Sequence, residues 1–390
     1  MTTSEWSVPE TEVLDAIVSG VTDRQAILAT VVGVEGNAYR RPGAKMVITE
    51  DSDAVGAVTP GCLEDRVLAL GRKVLASGKS HIERFDLTGN DDTWGLGVGC
   101  NGVVDILLEP LNSVYQPVAY AHKNGNDIAI LTMLNQGETG IKQGSHAFAR
   151  PTGATDHQNL SFETATTGWS DELFTVLDEP TTELLASDKS DSVSVNIKSG
   201  TVQVFIDSVC APPELVICGS GHDINPVIEL AKRVGFNVTV VTFRDIIAND
   251  TRFPTADRVQ TTAPADIRDS ITFDTDTYAV IMSHNFVDDR LALDELLSTP
   301  TEYIGMVGSR ERFEEMQDAF TAEGRQFSTS ELNRIYTPAG LDLGGGTPFH
   351  IAQSIIAEVT AIHHGRVPQH LTDRTGPIHK RPSVSQSGNE

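Results

Sequence analysis

Apolar and polar positions change their rhythm near residue 212. Before that point the apolar runs are mostly short and strand-like. A helix-spaced pattern over 10–19 opens the chain, and the apolar run Ala26–Val34 then reads as a buried strand. Lys45–Thr49 reads as its hairpin partner, and Gly36–Gly43 between them, rich in glycine and proline, as an irregular loop. Leu63, Val67, Leu70 and Val74 recur at helical spacing within Cys62–Leu75. A glycine-rich turn, Gly95–Gly102, precedes a strand over Val103–Leu108. Apolar runs at Ile128–Met133, Val193–Ile197 and Val202–Ile206 predict further antiparallel sheet. The stretch 150–192 is rich in Thr, Asp and Ser, shows weak periodicity and reads as partly mobile. Ala211-Pro212-Pro213 reads as a linker.

After the linker, strands and helices alternate. Strands are expected at Leu215–Cys218, Asn237–Val241, Tyr278–Ser283 and Tyr303–Val307, with a weaker one at Arg334–Tyr336. Helical segments 223–234, 288–298, 309–323 and 348–364 fill the gaps. That alternation predicts a doubly wound parallel sheet. The expected class is therefore α/β: a Rossmann-like domain over 213–365, preceded by an α+β domain over 1–210. The Pro-, Ser- and Gly-containing tail 366–390 is expected to be disordered.

The strand Glu214–Cys218 runs straight into Gly219-Ser220-Gly221-His222. Glycines there let the backbone turn sharply and approach a phosphate, whose charge meets the amides of the next helix. Two departures weaken a nicotinamide reading. Ile224 stands where a third glycine would be and would crowd helix against strand. Thr242-Phe243-Arg244 ends the second strand where an acid would meet ribose hydroxyls, with Asp245 one step late. Other strand ends add His284, with Asp288 and Asp289 following, and Gly308-Ser309-Arg310. Ser309 suits a helix cap as well as a phosphate contact. Gly344-Gly345-Gly346-Thr347-Pro348 supplies a flexible backbone, a capping threonine and a first-turn proline, leaving amides free for an anion. His363 and His364 favour the dipole at the end of the same helix.

Charge narrows the partners. The net charge of −25 opposes nucleic acid and anionic membrane surfaces as partners. Acid spread along the whole chain at the expense of lysine fits a high-salt, halophilic cytoplasm. Met1–Glu10 shows no leader, and Ala26–Val34 is about half the length that spans a bilayer. Cysteines at 62, 100, 210 and 218 form no CxxC pair, so a reduced, cytoplasmic protein is expected. Cys210 and Cys218 read as linker and strand-core residues. No HxxxH or HExxH occurs, which disfavours a metal hydrolase.

Several segments carry a family resemblance. Gly36-Asn37-Ala38-Tyr39-Arg40-Arg41-Pro42-Gly43-Ala44-Lys45-Met46 resembles the pattern GSSPRxPGAxM, and Pro60-Gly61-Cys62-Leu63-Glu64 resembles GGCxE. Gly99-Cys100-Asn101-Gly102 matches a later cysteine–glycine turn. In the second half, Gly219-Ser220-Gly221-His222-Asp223 resembles GxGHV, and Gly305–Arg310 resembles GMIGSR. Ser283-His284-Asn285 with Asp288-Asp289 resembles THD with its aspartate pair, and the run from Gly340 to Glu358 also matches. These are motifs of the XdhC/CoxI family, maturation factors for xanthine dehydrogenase and aerobic carbon monoxide dehydrogenase. Tyr39, Pro60 and Asp223 depart from the pattern.

The resemblance implies a chaperone without turnover of its own. It would hold molybdenum cofactor, a pterin dithiolene bearing a phosphate, while a terminal sulfur is added, then deliver it to an apo molybdenum hydroxylase. A cysteine-desulfurase-type sulfurase and a homodimer are further implied partners. Arg40 and Arg41 suit a phosphate or oxo-anion, and Cys62 and Cys100 offer soft thiolates to a metal, or are apolar packing residues. Gly219, Gly221, His222, His284, Gly308, Ser309, Arg310, Gly345, Gly346 and Thr347 complete the expected cofactor-binding set. The alternative is an NAD(P)-dependent oxidoreductase in which His284 acts as acid–base group.

Overall fold

The computed structural model describes residues 6–22, 25–36, 38–51, 53–88, 102–137, 139–153, 159–244, 252–376 and 378. The chain divides into two compact units, the second spanning Pro212–Ile378.

The first unit holds two five-stranded antiparallel sheets. One contains β1 (Ala26–Gly36), β2 (Lys45–Thr49), β3 (Ala54–Gly56), β4 (His81–Asp86) and β5 (Gly102–Leu111), in the order β3-β2-β1-β5-β4. The other contains β6 (Ile128–Asn135), β7 (His146–Pro151), β8 (Leu160–Thr164), β9 (Asp191–Ile197) and β10 (Gly200–Val209), in the order β8-β7-β6-β10-β9. Helices α1 (Glu10–Thr22), α2 (Glu64–Ser77), α3 (Gln116–Lys123) and α4 (Asp171–Ala186) cover them.

β1 is mostly apolar because both of its faces are buried over Ala26–Val32. Ile27, Ala29 and Val31 join a core with Val67 and Val74 of α2, whereas Ala26 and Leu28 join Ile128, Ile130 and Phe148 of the second sheet. Two buried polar clusters cross between the sheets. Lys45 Nζ meets Asp207 Oδ1 at 2.8 Å, with the two side chains 2% and 5% exposed. Glu109 accepts from the Tyr115 hydroxyl and pairs with His146 Nε2 at 2.8 Å, while His146 Nδ1 lies 3.1 Å from Thr132 Oγ1. Burial works against a charged His146 ring, but the charge and hydrogen bond of Glu109 outweigh it and raise its pKa.

Within the stretch 150–192, read as partly mobile, residues 154–158 lie outside the described residues and the rest is more regular than its weak periodicity suggested. It forms β8 and the 16-residue α4, which Ser170 caps by accepting from the Leu173 amide. Leu173, Leu177, Thr181 and Leu184 make a buried stripe, but a threonine within it and Pro180 inside the helix disguise the period. The glycine turn 95–102 lies, up to residue 101, outside the described residues.

The second unit is a six-stranded sheet of parallel pairs: β11 (Glu214–Cys218), β12 (Asn237–Thr242), β13 (Arg258–Thr261), β14 (Thr277–Ile281), β15 (Tyr303–Met306) and β16 (Ile335–Tyr336). Their order is β13-β12-β11-β14-β15-β16, so the chain winds outward from β11 first one way and then the other. Helices α5 (Ile224–Arg233), α6 (Ile267–Ser270), α7 (Phe286–Leu297), α8 (Arg310–Ala322) and α9 (Thr329–Leu332) lie between strands, and α10 (Pro348–His363) follows the last of them. Val227 and Ile228 of α5 and Ala352 and Ile355 of α10 pack on Leu215, Ile217 and Val280. Leu293 and Leu296 of α7 and Met316 of α8 cover the other face at Val216, Cys218 and Ile281. The expected doubly wound arrangement is therefore present. β13 and α6 are additions that short, polar-flanked sequence did not reveal.

Beyond α10, residues 366–376 and 378 include a single helical turn, Leu371–Asp373; residues 377 and 379–390 lie outside the described residues. Among the described residues no helix is long and apolar enough to cross a membrane.

Candidate functional site

Strand register gathers the motifs of the first unit at one end of its first sheet. Gly36 faces Gly102, Thr30 faces Lys45 and Met46 faces Gly56. The end of β1, the start of β2, the end of β3 and the start of β5 thus share that end. The loop carrying Arg40 and Arg41 and the loop carrying Cys62 both leave from it. Ala38 and Cys62 border the same apolar core.

The arginine loop is pinned to its neighbours. Gly43 N donates to Val31 O, Val31 N donates to Ala44 O, and Ala44 N donates to Arg41 O, closing a turn. Gly43 has φ 95°, and a β-carbon there would lie 2.6 Å from Ser190 Oγ, so only glycine fits. Lys45 Nζ holds the Gly43 carbonyl at 2.9 Å while it pairs with Asp207. Burial pushes against a charged lysine, yet Asp207 outweighs it and raises the Lys45 pKa. Arg40 and Arg41 are half-buried, and the Nε atoms of both are out of water with no hydrogen-bond partner. A buried, unpaired guanidinium nitrogen is costly, and an acceptor oxygen satisfies it, most strongly an anionic one.

The cysteine loop depends on Glu64, a motif residue with no role assigned from sequence. Its carboxylate is 1% exposed and accepts from Thr59 N at 3.0 Å, Thr59 Oγ1 at 2.6 Å and Leu63 N at 3.0 Å. It therefore clamps residues 59–63 from inside while standing in the first turn of α2. The signal was present: an acid at the start of a helix, five residues after a threonine. Pro60 and Gly61 are exposed, Gly61 has φ 114°, and Cys62 is a half-buried free thiol. Cys100 lies outside the described residues. Cys218 is wholly buried in β11, and burial pushes its thiol pKa far up; Cys210 is half-buried, with Sγ 3.7 Å from Leu185 O. Among the described residues no group of three His, Cys, Asp or Glu side chains could hold a metal.

In the second unit the expected residues come from the carboxyl edge of the parallel sheet. Gly219 lies so close to β14 that a β-carbon would stand 2.6 Å from Met282 O. Ile224 does not force helix and strand apart; it is fully buried and packs beside Gly219 in the core. A β-carbon on Gly221 would collide with the Asp223 carboxylate, and Asp223 Oδ2 pairs with His284 Nε2 at 2.8 Å. His222 is exposed beside them.

Asp289 is 2% exposed and anchors the end of β14. It accepts from Ser283 N and Oγ and from Arg312 Nη2 at 2.7 Å. Ser309 takes the capping role, accepting from Arg312 N, with Gly308 against the Arg312 side chain and Arg310 exposed. Thr347 caps α10 by accepting from His350 N. The His350 ring lies against Gly345, and space beside Gly346 is open. Arg244 reaches an acid, Asp288, at 3.8 Å; Asp245 lies outside the described residues. His363 meets the Tyr278 hydroxyl at 3.1 Å and packs among Phe236 and Tyr278, a structural role beyond any effect on the helix dipole.

Comparison with known proteins fits this division. The profile described as the XdhC Rossmann domain matches residues 215–359, and that of the XdhC and CoxI family matches residues 22–86. The chain is 27% identical over 355 residues to a probable xanthine dehydrogenase subunit of Bacillus subtilis, covering 89% of this chain and 95% of that protein. It is 30% identical over 124 residues to the molybdenum cofactor insertion chaperone PaoD of Escherichia coli, 32% of this chain and 34% of that one. The crystal structure of a protein described as a xanthine dehydrogenase from Bacillus halodurans superposes with a TM-score of 0.70. It is 26% identical, with 92% of this chain and 97% of that chain covered.

Proposed function

Because the chain belongs to the XdhC/CoxI family, with an XdhC Rossmann domain, we propose that it binds molybdenum cofactor and delivers it to an apo molybdenum hydroxylase. The client is of the xanthine dehydrogenase or carbon monoxide dehydrogenase type, and the protein acts in the cytoplasm as a carrier without turnover. The name of the Escherichia coli relative supports cofactor insertion, and that of the Bacillus subtilis relative supports a xanthine dehydrogenase client.

The observation that carries the reading is the pair of buried, unpartnered Nε atoms on Arg40 and Arg41. In this reading they hold the phosphate or an oxo-anion of the cargo. Cys62, bordering the same core, offers a thiol to the metal end, and a cysteine-desulfurase-type sulfurase supplies the terminal sulfur. Cys100, the second thiol of that role, belongs to the same proposal, as does a homodimer. The carboxyl-edge residues Gly219, Gly221, His222, His284, Gly308, Ser309, Arg310, Gly345, Gly346 and Thr347 form a separate part of the proposal, offering backbone donors and side chains to a ligand of the second unit.

The test is cofactor retention by the full chain. Arg41→Ala and Cys62→Ala, purified from a host that makes the cofactor and then oxidised, should release less fluorescent pterin. Loss of one charge-assisted contact should weaken binding about tenfold for the arginine variant. Retention equal to that of the unsubstituted chain would remove these residues from the site.

A further inference from the structure

We infer that Asp223 closes the glycine turn of the second unit to phosphate and thereby sets which ligands the crevice between β11 and β14 accepts. In an open parallel sheet, the ligand site lies where the strand order reverses, at the carboxyl ends of the two strands that flank the reversal. Here those strands are β11, ending in Gly219-Ser220-Gly221, and β14, running into His284.

The space over the turn holds an anion that belongs to the protein. The Asp223 carboxylate lies where the β-carbon of any larger residue at 221 would be, so the second glycine makes room for this side chain. Its other oxygen meets His284 Nε2 at 2.8 Å, which links the two strand ends across the crevice. His284 adopts φ 59°, a left-handed conformation seldom taken by a residue with a side chain. The backbone before it is fixed: Ser283 donates to Asp289 through N and Oγ, and Asp289 is held by Arg312. The imidazole is thus presented to Asp223 by a braced strand end.

A phosphate approaching the turn meets the Asp223 carboxylate standing against Gly221. Two cationic groups at the neighbouring strand ends are already engaged, since Arg244 lies 3.8 Å from Asp288 and His284 pairs with Asp223 itself. Two anions a few Å apart near a protein surface repel strongly enough to lower affinity by on the order of tenfold. A ring that presents N–H donors, by contrast, finds an acceptor there. The crevice therefore refuses mono- and dinucleotide phosphates at the turn and favours a neutral, N–H-bearing ring. This holds whether or not the first unit binds a pterin.

Calorimetry on the full chain tests it, with ADP, NAD, NADP and inorganic phosphate as probes. The unsubstituted protein should show no saturable binding in the millimolar range. Asp223→Asn, which keeps the shape, and Asp223→Ala, which empties the seat, should each gain affinity for ADP or NAD by about tenfold or more. His284→Ala leaves the carboxylate without its partner and should show no gain. Thermal melts establish that each variant is folded. The inference is overturned if the unsubstituted chain binds these probes as tightly as Asp223→Asn, or if both folded Asp223 variants still fail to bind. A gain in His284→Ala matching that of Asp223→Asn would also overturn it, because the imidazole would then be the closing group.

Discussion

Asp207→Ala is expected to lower the melting temperature of the first unit by on the order of 10 °C, through about 3–5 kcal/mol of lost stability. The substitution strands the Lys45 ammonium, which is 2% exposed, with the Gly43 carbonyl as its remaining close partner and the exposed Glu10 at 3.6 Å. It also removes the acceptor of Ser190 Oγ, at 3.0 Å. A buried charge left alone is far more costly than a buried pair replaced as a whole, so Lys45→Met combined with Asp207→Leu should melt within a few degrees of the unsubstituted chain. The double variant separates stability from function. It lacks the lysine that holds Gly43 O, two residues after Arg41, so it should retain less pterin although it folds. Calorimetric melts of the single and double variants check the first part. An Asp207→Ala protein that melts like its parent would show that the pair does not hold the sheets together.

The second large effect concerns the cysteine loop. Glu64→Ala should cost about 2–4 kcal/mol and speed alkylation of Cys62 by roughly tenfold or more, because hydrogen bonds to a charged acceptor are worth about 1.5–3 kcal/mol each. Glu64 receives two backbone amides and a hydroxyl from residues 59–63. Without it the amides of Thr59 and Leu63 must find water, and the loop opens around the half-buried thiol. Iodoacetamide labelling followed by peptide mapping reads Cys62 apart from the other cysteines. An unchanged labelling rate in a folded Glu64→Ala protein would mean that the carboxylate stabilises α2 without shaping the loop.

Legibility in the sequence followed how local the determining forces are. The parallel unit could be read because each strand, turn and cap is specified by neighbouring residues: Ser309 and Thr347 cap the helices they were expected to start. β1 could be read because burial on both faces over Ala26–Val32 leaves a mostly apolar run. The helix α4 could not, since its packing face carries Thr181 and its interior carries Pro180, and tertiary burial overrides both. The convergence of Arg40, Arg41 and Cys62 on one sheet end is a matter of strand register across residues far apart in sequence. Asp223 was visible as a departure, but its meaning depends on His284, 61 positions away and on another strand end. The buried Lys45–Asp207 pair, 162 positions apart, left no sequence signal either.

Central to the proposed function is a pterin-bearing anion held by the first unit at Arg40 and Arg41. The most direct measurement is the pterin content of the full, unsubstituted chain, purified from a host that makes molybdenum cofactor and oxidised to its fluorescent form. The expected content approaches one pterin per binding-competent chain, falling to background in an Arg40→Ala/Arg41→Ala double variant that melts normally. A content no higher in the parent chain than in that variant would contradict the assignment.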